Sequence, residues 1–252
     1  MSFDINNKVA LVTGANRGIG KAIVESFIAH GAQKVYLAVR NTDSTQALVE
    51  THGDKVVPLQ VDVANKQSID ALAAQAQDVD IVVNNAGILK AAQPLSAHVE
   101  DAFRQELEVN TFGLLRVANA FTPVLASNGG GAFVQLNSVA SIKNFGDFTT
   151  YSASKAATYS ITQGLKEQLT PKNIQVLSVH PGPIATDMAD DAGLGEIAES
   201  ASLVSEGIVA ALKAGQFHLF PDTMAKQFEA AYQSYAENII EAEADEEALA
   251  EA

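Results

Sequence analysis

The feature that most constrains this chain is a repeated alternation of short β-branched apolar runs with longer stretches of helical spacing. Lys8–Thr13 (KVALVT), Val35–Val39, Val56–Val61, Ile81–Asn84, Ala132–Asn137 and Ile174–Val179 are runs of the first kind, with a shorter seventh at Phe217–Phe220. Between them, Ile19–His30 places Ile19, Ile23, Phe27 and Ile28 on one face, and Gly31 ends that helix. Further helices are predicted over Lys66–Ala76, Val99–Ala126, Tyr151–Thr170 and Met224–Ile240, with a kink expected at Pro123 and a stop at Pro171. Strands apolar along their whole length and joined by helices demand a parallel sheet covered on both faces. The expected fold is therefore α/β: one Rossmann-type, doubly wound, mostly parallel seven-stranded sheet over residues 1–236. An acidic C-terminal tail, 237–252, follows as a helical extension or a disordered end.

Composition narrows the chemistry. At 47% apolar residues the chain can build a packed core, and the absence of cysteine excludes disulfides, thiolate metal sites and cysteine nucleophiles. The five histidines are scattered without metal-ligand spacing. A formal charge of −14 argues against a nucleic-acid partner, which needs a basic face. That charge is uneven, because the tail holds seven acidic residues and no basic one, half of the excess. No apolar run approaches membrane-spanning length and the start, MSFDINNK, carries no signal pattern, so a cytoplasmic location away from membranes is expected.

In a doubly wound sheet, ligands bind outside the carboxyl ends of the strands. Six of the predicted strands end in distinctive polar segments: Thr13–Gly20, Arg40, Asp62, Asn84–Gly87, Asn137-Ser138 and His180-Pro181-Gly182. In the first, Gly14 suits a tight turn, Gly18 a backbone approach to pyrophosphate, and Gly20 close helix packing. The helix that follows offers free N–H groups to phosphates, which makes Gly14, Asn16, Arg17, Gly18, Ile19 and Gly20 candidate cofactor contacts. The second strand ends Ala38-Val39-Arg40, without the acid that would bond an NAD ribose and repel a 2′-phosphate. Arg17 and Arg40 near that ribose would pair with the phosphate, favouring NADP(H) over NAD(H). The plainer alternative is two solvated surface arginines.

Tyr151 and Lys155 share a helix face four residues apart, so an ammonium there would lower the phenol pKa and ready it for proton exchange. Ser138, at a strand end, would bond a substrate oxygen as charge develops on it.

With these residues in place the sequence resembles the short-chain dehydrogenase/reductase family, in its single-domain branch of about 250 residues. The resemblance runs from about Asn7 to Phe220. It rests on Thr13-Gly14-x-x-x-Gly18-x-Gly20, Asp62, Asn84-Asn85-Ala86-Gly87, Asn110, Ser138, Tyr151-x-x-x-Lys155, and Pro181-Gly182 followed by Thr186. It implies hydride transfer between nicotinamide C4 and a ketone, aldehyde or secondary alcohol, with Tyr151 as acid/base. Lys155 would lower its pKa and bond the nicotinamide ribose, Ser138 would polarise the carbonyl, and Asn110 would hold a relay water. By the same resemblance Asp62 and Val63 contact adenine, while Asn84, Ala86 and Gly87 line the ribose. Pro181, Gly182, Ile184 and Thr186 pack on the nicotinamide end. Asp62 as a turn cap and Asn84–Gly87 as ordinary strand-exit residues remain the plainer readings.

The resemblance also implies a homodimer or homotetramer, packed through the helices near 99–126 and 151–169. Residues 187–195 are expected to form a short lid over a small-molecule substrate. Val139, Ala140, Lys143, Asn144, Phe145 and Phe148 beside the catalytic residues suggest a partly apolar pocket, with core or subunit contacts the alternative for the two phenylalanines, and the lid carboxylates disfavour a strongly anionic substrate. The rival from another class is a non-catalytic NADP-binding regulatory protein that keeps the fold; a sugar-nucleotide epimerase is a weaker one.

Overall fold

The structure, a computed structural model, describes residues 2–241. Seven strands lie in one sheet in the order β3-β2-β1-β4-β5-β6-β7, all neighbours parallel. They are β1 (Val9–Thr13), β2 (Lys34–Val39), β3 (Val56–Gln60), β4 (Ile81–Asn84), β5 (Gly131–Leu136), β6 (Ile174–Val179) and β7 (His218–Leu219). The expected seven-stranded sheet is thus present, parallel throughout rather than mostly so, and the strand limits read from sequence hold to within a residue. Because β1 sits between β2 and β4, the winding reverses there and leaves a crevice at the carboxyl ends.

The helices in chain order are α1 (Gly18–Ala29), α2 (Gln46–His52), α3 (Lys66–Gln75), α4 (Val99–Glu106), α5 (Gly113–Ser127), α6 (Thr149–Leu169), α7 (Asp187–Asp191), α8 (Ala201–Ala214) and α9 (Thr223–Tyr235). They form two layers over the sheet. On one face Ile23 and Phe27 of α1 and Val204, Ile208 and Leu212 of α8 pack against the strands. On the other, Ile69 and Leu72 of α3 and Leu114, Val117 and Phe121 of α5 do the same. Each fully buried Leu, Ile or Phe adds roughly 1.5–3 kcal/mol of transfer free energy, which is why strands of this composition hold the sheet at the centre.

Two departures from the sequence reading bear on the site. The predicted long helix over 99–126 is interrupted by a π-helical turn at Leu107–Phe112, between α4 and α5. Pro123, expected to mark the distortion, lies inside α5, which continues to Ser127. The second departure is α8, a helix outside those predicted although Val204, Ile208 and Leu212 keep helical spacing. It is capped by Ser200, whose hydroxyl accepts from Ser202 N, and closed by Gly215 at φ +71°. Of the acidic tail, only 237–241 fall among the described residues: Ala236–Ile240 is π-helical, and Glu241 pairs with His218 at 2.9 Å. The rest of the tail lies outside them. Among the described residues no helix is long and apolar enough to cross a membrane.

Candidate active site

The glycine loop is built by exclusion of side chains. Gly14 and Gly18 have φ of +66° and +52°, a region that favours glycine. A Cβ at Gly20 would run into the Gly14 carbonyl oxygen, and one at Gly18 would come within 2.8 Å of the Thr186 methyl. The loop is held from behind by Thr13, whose buried hydroxyl accepts from Asn85 N at 3.0 Å and Ala86 N at 2.9 Å. Asn85 returns the tie, donating through Nδ2 to Thr13 O at 2.9 Å. Neither Thr13 nor Asn85 was a candidate contact from sequence. Their role comes from the β1–β4 register, which brings together residues about 70 apart.

A cavity of about 970 Å³ opens over this loop and runs across the rim to Tyr151. Gly14, Asn16, Arg17, Gly18, Ile19, Gly20, Arg40, Asp62, Val63, Ala86 and Gly87 line it near the glycine loop and the ends of β1 to β4, and Ser138, Tyr151, Lys155, Pro181, Gly182, Ile184 and Thr186 line the remainder. Asn84 and Asn110 do not line it. The Asn84 amide is spent on Gln135 Oε1 at 2.8 Å, so the wall position expected of Asn84 falls to Asn85. Asp62 caps the turn, as the plainer reading has it, with Oδ1 accepting from Ala64 N at 3.0 Å, and the residue also lines the cleft.

The cavity fits an extended dinucleotide. It joins a glycine cradle that no side chain can enter to a basic rim at Arg40, with no acid at the end of β2. Arg40 forms no ion pair among the described residues, whereas Arg17 is bound to Asp187 of α7 at 2.6 Å. Both arginines are exposed and line the cleft, a placement that accommodates a phosphate contact and the plainer reading of two solvated surface arginines alike.

At the far end Ser138, Tyr151 and Lys155 converge. The Lys155 ammonium is buried and donates to Leu136 O at 2.7 Å, 5.7 Å from the centre of the Tyr151 ring. Burial pulls its pKa down to about 8. Burial also pushes the Tyr151 phenol up to about 12, with the Ser138 hydroxyl lowering it and the Glu106 carboxyl raising it. Lys155 is not among the influences on the phenol, so the depression expected from it does not show and desolvation sets the direction. The Ser138 hydroxyl accepts from Ala140 N at 3.1 Å and donates to Pro181 O at 3.2 Å, a rotor that can turn toward a substrate oxygen.

Asn110 sits in the π-helical turn. Its Oδ1 accepts from Ile88 N at 2.9 Å and its Nδ2 donates to Ile88 O and to Ser154 Oγ. A side chain at Gly87 would meet Asn110 Oδ1 at 3.2 Å and Lys155 Nζ at 3.8 Å, so glycine there keeps a space beside both.

Behind Ser138 lies a network that sequence did not disclose. His180 is fully buried, with Nδ1 at 2.9 Å from Ser141 Oγ and Nε2 at 2.7 Å from Ser178 Oγ. Ser141 donates to Ser138 O, so Nδ1–H donates to Ser141 and Nε2 accepts from Ser178. Burial holds this imidazole neutral, with its pKa down at about 3. It therefore braces the Ser138 backbone and offers no proton at neutral pH.

A Rossmann-type sheet with a glycine cradle and a Ser–Tyr–Lys cluster at one rim defines a nicotinamide-dependent oxidoreductase. The short chain dehydrogenase family model matches residues 8–196, and the chain belongs to that family. It is similar to an NAD-dependent glycerol dehydrogenase of Listeria innocua, 34% identical over 203 residues covering 78% of each chain. Among solved structures, a short chain dehydrogenase from Burkholderia cenocepacia in complex with NADP is 33% identical. The match covers 94% of this chain and 99% of that one, with a TM-score of 0.85. A family member from Burkholderia phymatum in complex with NAD, 22% identical, shares the fold with a TM-score of 0.82 over 93% of this chain and 96% of that one.

Proposed function

We propose that the protein is an NADP(H)-dependent carbonyl reductase or alcohol dehydrogenase in which Tyr151 is the acid/base. The observation that carries this reading is the shared cavity. Arg40, without an ion-pair partner among the described residues, lies at the adenosine end, and Ser138, Tyr151 and Lys155 lie at the other. The NADP complex of the Burkholderia cenocepacia relative supports the cofactor. The NAD-dependent Listeria relative supports a second reading, NAD(H), which the absence of an acid at the end of β2 disfavours.

A bound nicotinamide supplies or accepts the hydride at C4. The chain's own part is proton and charge management. In reduction, Ser138 turns its hydroxyl to the carbonyl oxygen, and Tyr151 donates its phenolic proton to that oxygen as negative charge grows there. A phenol held well above neutral pH is in its acid form, ready for reduction. The ammonium of Lys155 then stabilises the phenolate left behind. In oxidation the same groups run in reverse. Gly14, Gly18 and Gly20 admit the pyrophosphate, and Val63 and Ala86 line the nucleotide half of the cleft.

Tyr151→Phe tests this. It should leave the fold and NADPH affinity within about twofold while lowering turnover of any accepted ketone by at least ~10³-fold, in the range expected for loss of a proton donor. Near-normal turnover would remove the assignment. Tight NADPH binding with no turnover of any ketone, aldehyde or alcohol by the unaltered protein would favour a non-catalytic binding role.

A further inference from the structure

The substrate half of the cavity is notable for how few polar side chains remain uncommitted there. Asn137 lines it, yet its amide is spent on Ser178 Oγ, Thr162 Oγ1 and the Thr158 hydroxyl. Thr186 caps α7, donating to Ile184 O and accepting from Ala189 N. Asp187 is neutralised by Arg17. Lys143 and Asp147, which flank this region in sequence, do not line the cavity; Lys143 lies over the Phe145 ring and Asp147 accepts from Gln93. Beyond Ser138, Tyr151 and Lys155, the polar side chains described here are engaged with the protein, save for Oδ1 of the exposed Asp187, whose other oxygen is held by Arg17.

What this half offers is apolar. Leu89 comes from the loop after β4, Phe145 and Phe148 from the segment before α6, and Met188, Leu194 and Ile197 from the lid. Met188 and Ile197 are 38% and 57% exposed, large apolar side chains left uncovered at the mouth of a cavity they line. The lid is pinned at its base, where Ala185 N donates to Glu199 O and Glu199 N to Pro183 O, so these side chains are presented from a closed loop.

We infer that the substrate is an uncharged ketone, or its secondary alcohol, whose reacting carbon carries an extended alicyclic or aromatic body, and that polyols and keto acids are rejected. A hydroxyl carried into this half would lose its water with no partner to replace it, and a carboxylate would lose more. An apolar ring would cover Met188 and Ile197 and keep its one oxygen for Ser138 and Tyr151. This rests on the carbonyl-redox reading above and sharpens it by separating this chain from a glycerol-type substrate.

The test compares 1-tetralone and acetophenone with dihydroxyacetone and pyruvate under saturating NADPH, and again under NADH. The expected kcat/KM for the aryl ketones exceeds that for dihydroxyacetone by at least about 100-fold, the scale for burying unpartnered polar groups. Replacing Phe148 and Ile197 by Asn should shrink that ratio by at least about tenfold, mainly through KM for the aryl ketones. Equal or greater activity on dihydroxyacetone or pyruvate overturns the inference. A binding readout separates it from the catalytic reading. In the NADPH-loaded Tyr151→Phe protein, 1-tetralone should raise the melting temperature and dihydroxyacetone should not. If nothing turns over but that selectivity appears, the catalytic reading fails and this one stands; if turnover occurs without selectivity, the reverse holds.

Discussion

Thr13→Val isolates the contact that holds the glycine loop to the next crossover. Valine keeps the shape and removes the oxygen that accepts from Asn85 N and Ala86 N. Thr13 is fully buried, while Asn85 and Ala86 are half-buried. Two backbone N–H groups would then lose their partner, at about 1–3 kcal/mol each when fully enclosed. Partial access of water to both places the sum near the low end, about 2–3 kcal/mol. For a chain of this size each kcal/mol lowers the melting temperature by about 2–4 °C, so calorimetry should record a fall of about 4–12 °C. Thr13→Ser retains the oxygen and loses only a methyl, costing about 1 kcal/mol, and should fall by about 2–4 °C. Because Asn85 also ties Thr13 O and Gly14 O, the valine variant should weaken NADPH binding in isothermal titration by about three- to tenfold. Identical melting and affinity for the two variants would refute the assignment of Thr13 as the loop's anchor.

The cofactor rim and one buried acid supply the remaining predictions. Arg40→Ala should weaken NADPH binding by roughly 10- to 100-fold, the loss of charge-assisted bonds to a phosphate, and leave NADH within about twofold. Arg17→Ala should show a smaller discrimination, because Arg17 already has Asp187 for a partner; equal losses for both nucleotides would mean that neither guanidinium reads the phosphate. Glu106 has no exposed surface, and burial raises its carboxyl pKa, with the Lys90 backbone N–H and the Lys90 charge opposing. Its Oε1 accepts from Lys90 N at 2.7 Å, while Oε2 and the Thr150 hydroxyl have no hydrogen-bond partner. A carboxyl whose folded pKa is raised gives its full stability below the unfolded value near 4.5 and loses it as pH rises through the folded value. Glu106→Gln keeps the bond to Lys90 N and removes that loss, so it should melt higher than the unaltered protein at pH 8 and no higher at pH 4; a lower melting temperature at both would refute the argument.

The strands were legible because most are dominated by apolar, often β-branched residues, and a run such as IQVLSV at Ile174–Val179, buried at every position, admits few other burials in a chain of this kind. The rim was legible for a related reason: strand ends that leave the core turn abruptly polar, so Arg40, Asp62, Ser138 and His180 announce themselves by position. The amphipathic face of α8, with Val204, Ile208 and Leu212 at helical spacing, is equally explicit in the sequence. What was not legible is the spending of polar groups. Asn137 and Ser138 are neighbours at one strand end and look alike in sequence. The fold commits the first to Thr158, Thr162 and Ser178, 21, 25 and 41 residues away, and leaves the second on a rotor. The same partition divides Asn84 from Asn85, and it commits His180 to Ser141 and Ser178 as a neutral brace.

Net charge misleads in the same way as residue type. The chain carries −14 overall, yet the cleft gathers Arg17, Arg40 and Lys155 around a glycine cradle, with Asp187 already neutralised and Asp62 turned to cap a backbone N–H. An anionic nucleotide therefore meets a locally cationic wall inside an anionic protein. A small anionic substrate entering past the Met188 and Ile197 side chains has no guanidinium left over to receive it. The selectivity against charged substrates inferred above would rest on which cations are already engaged, Arg17 by the lid and Lys155 by Leu136 O, with no repulsive residue needed in the pocket.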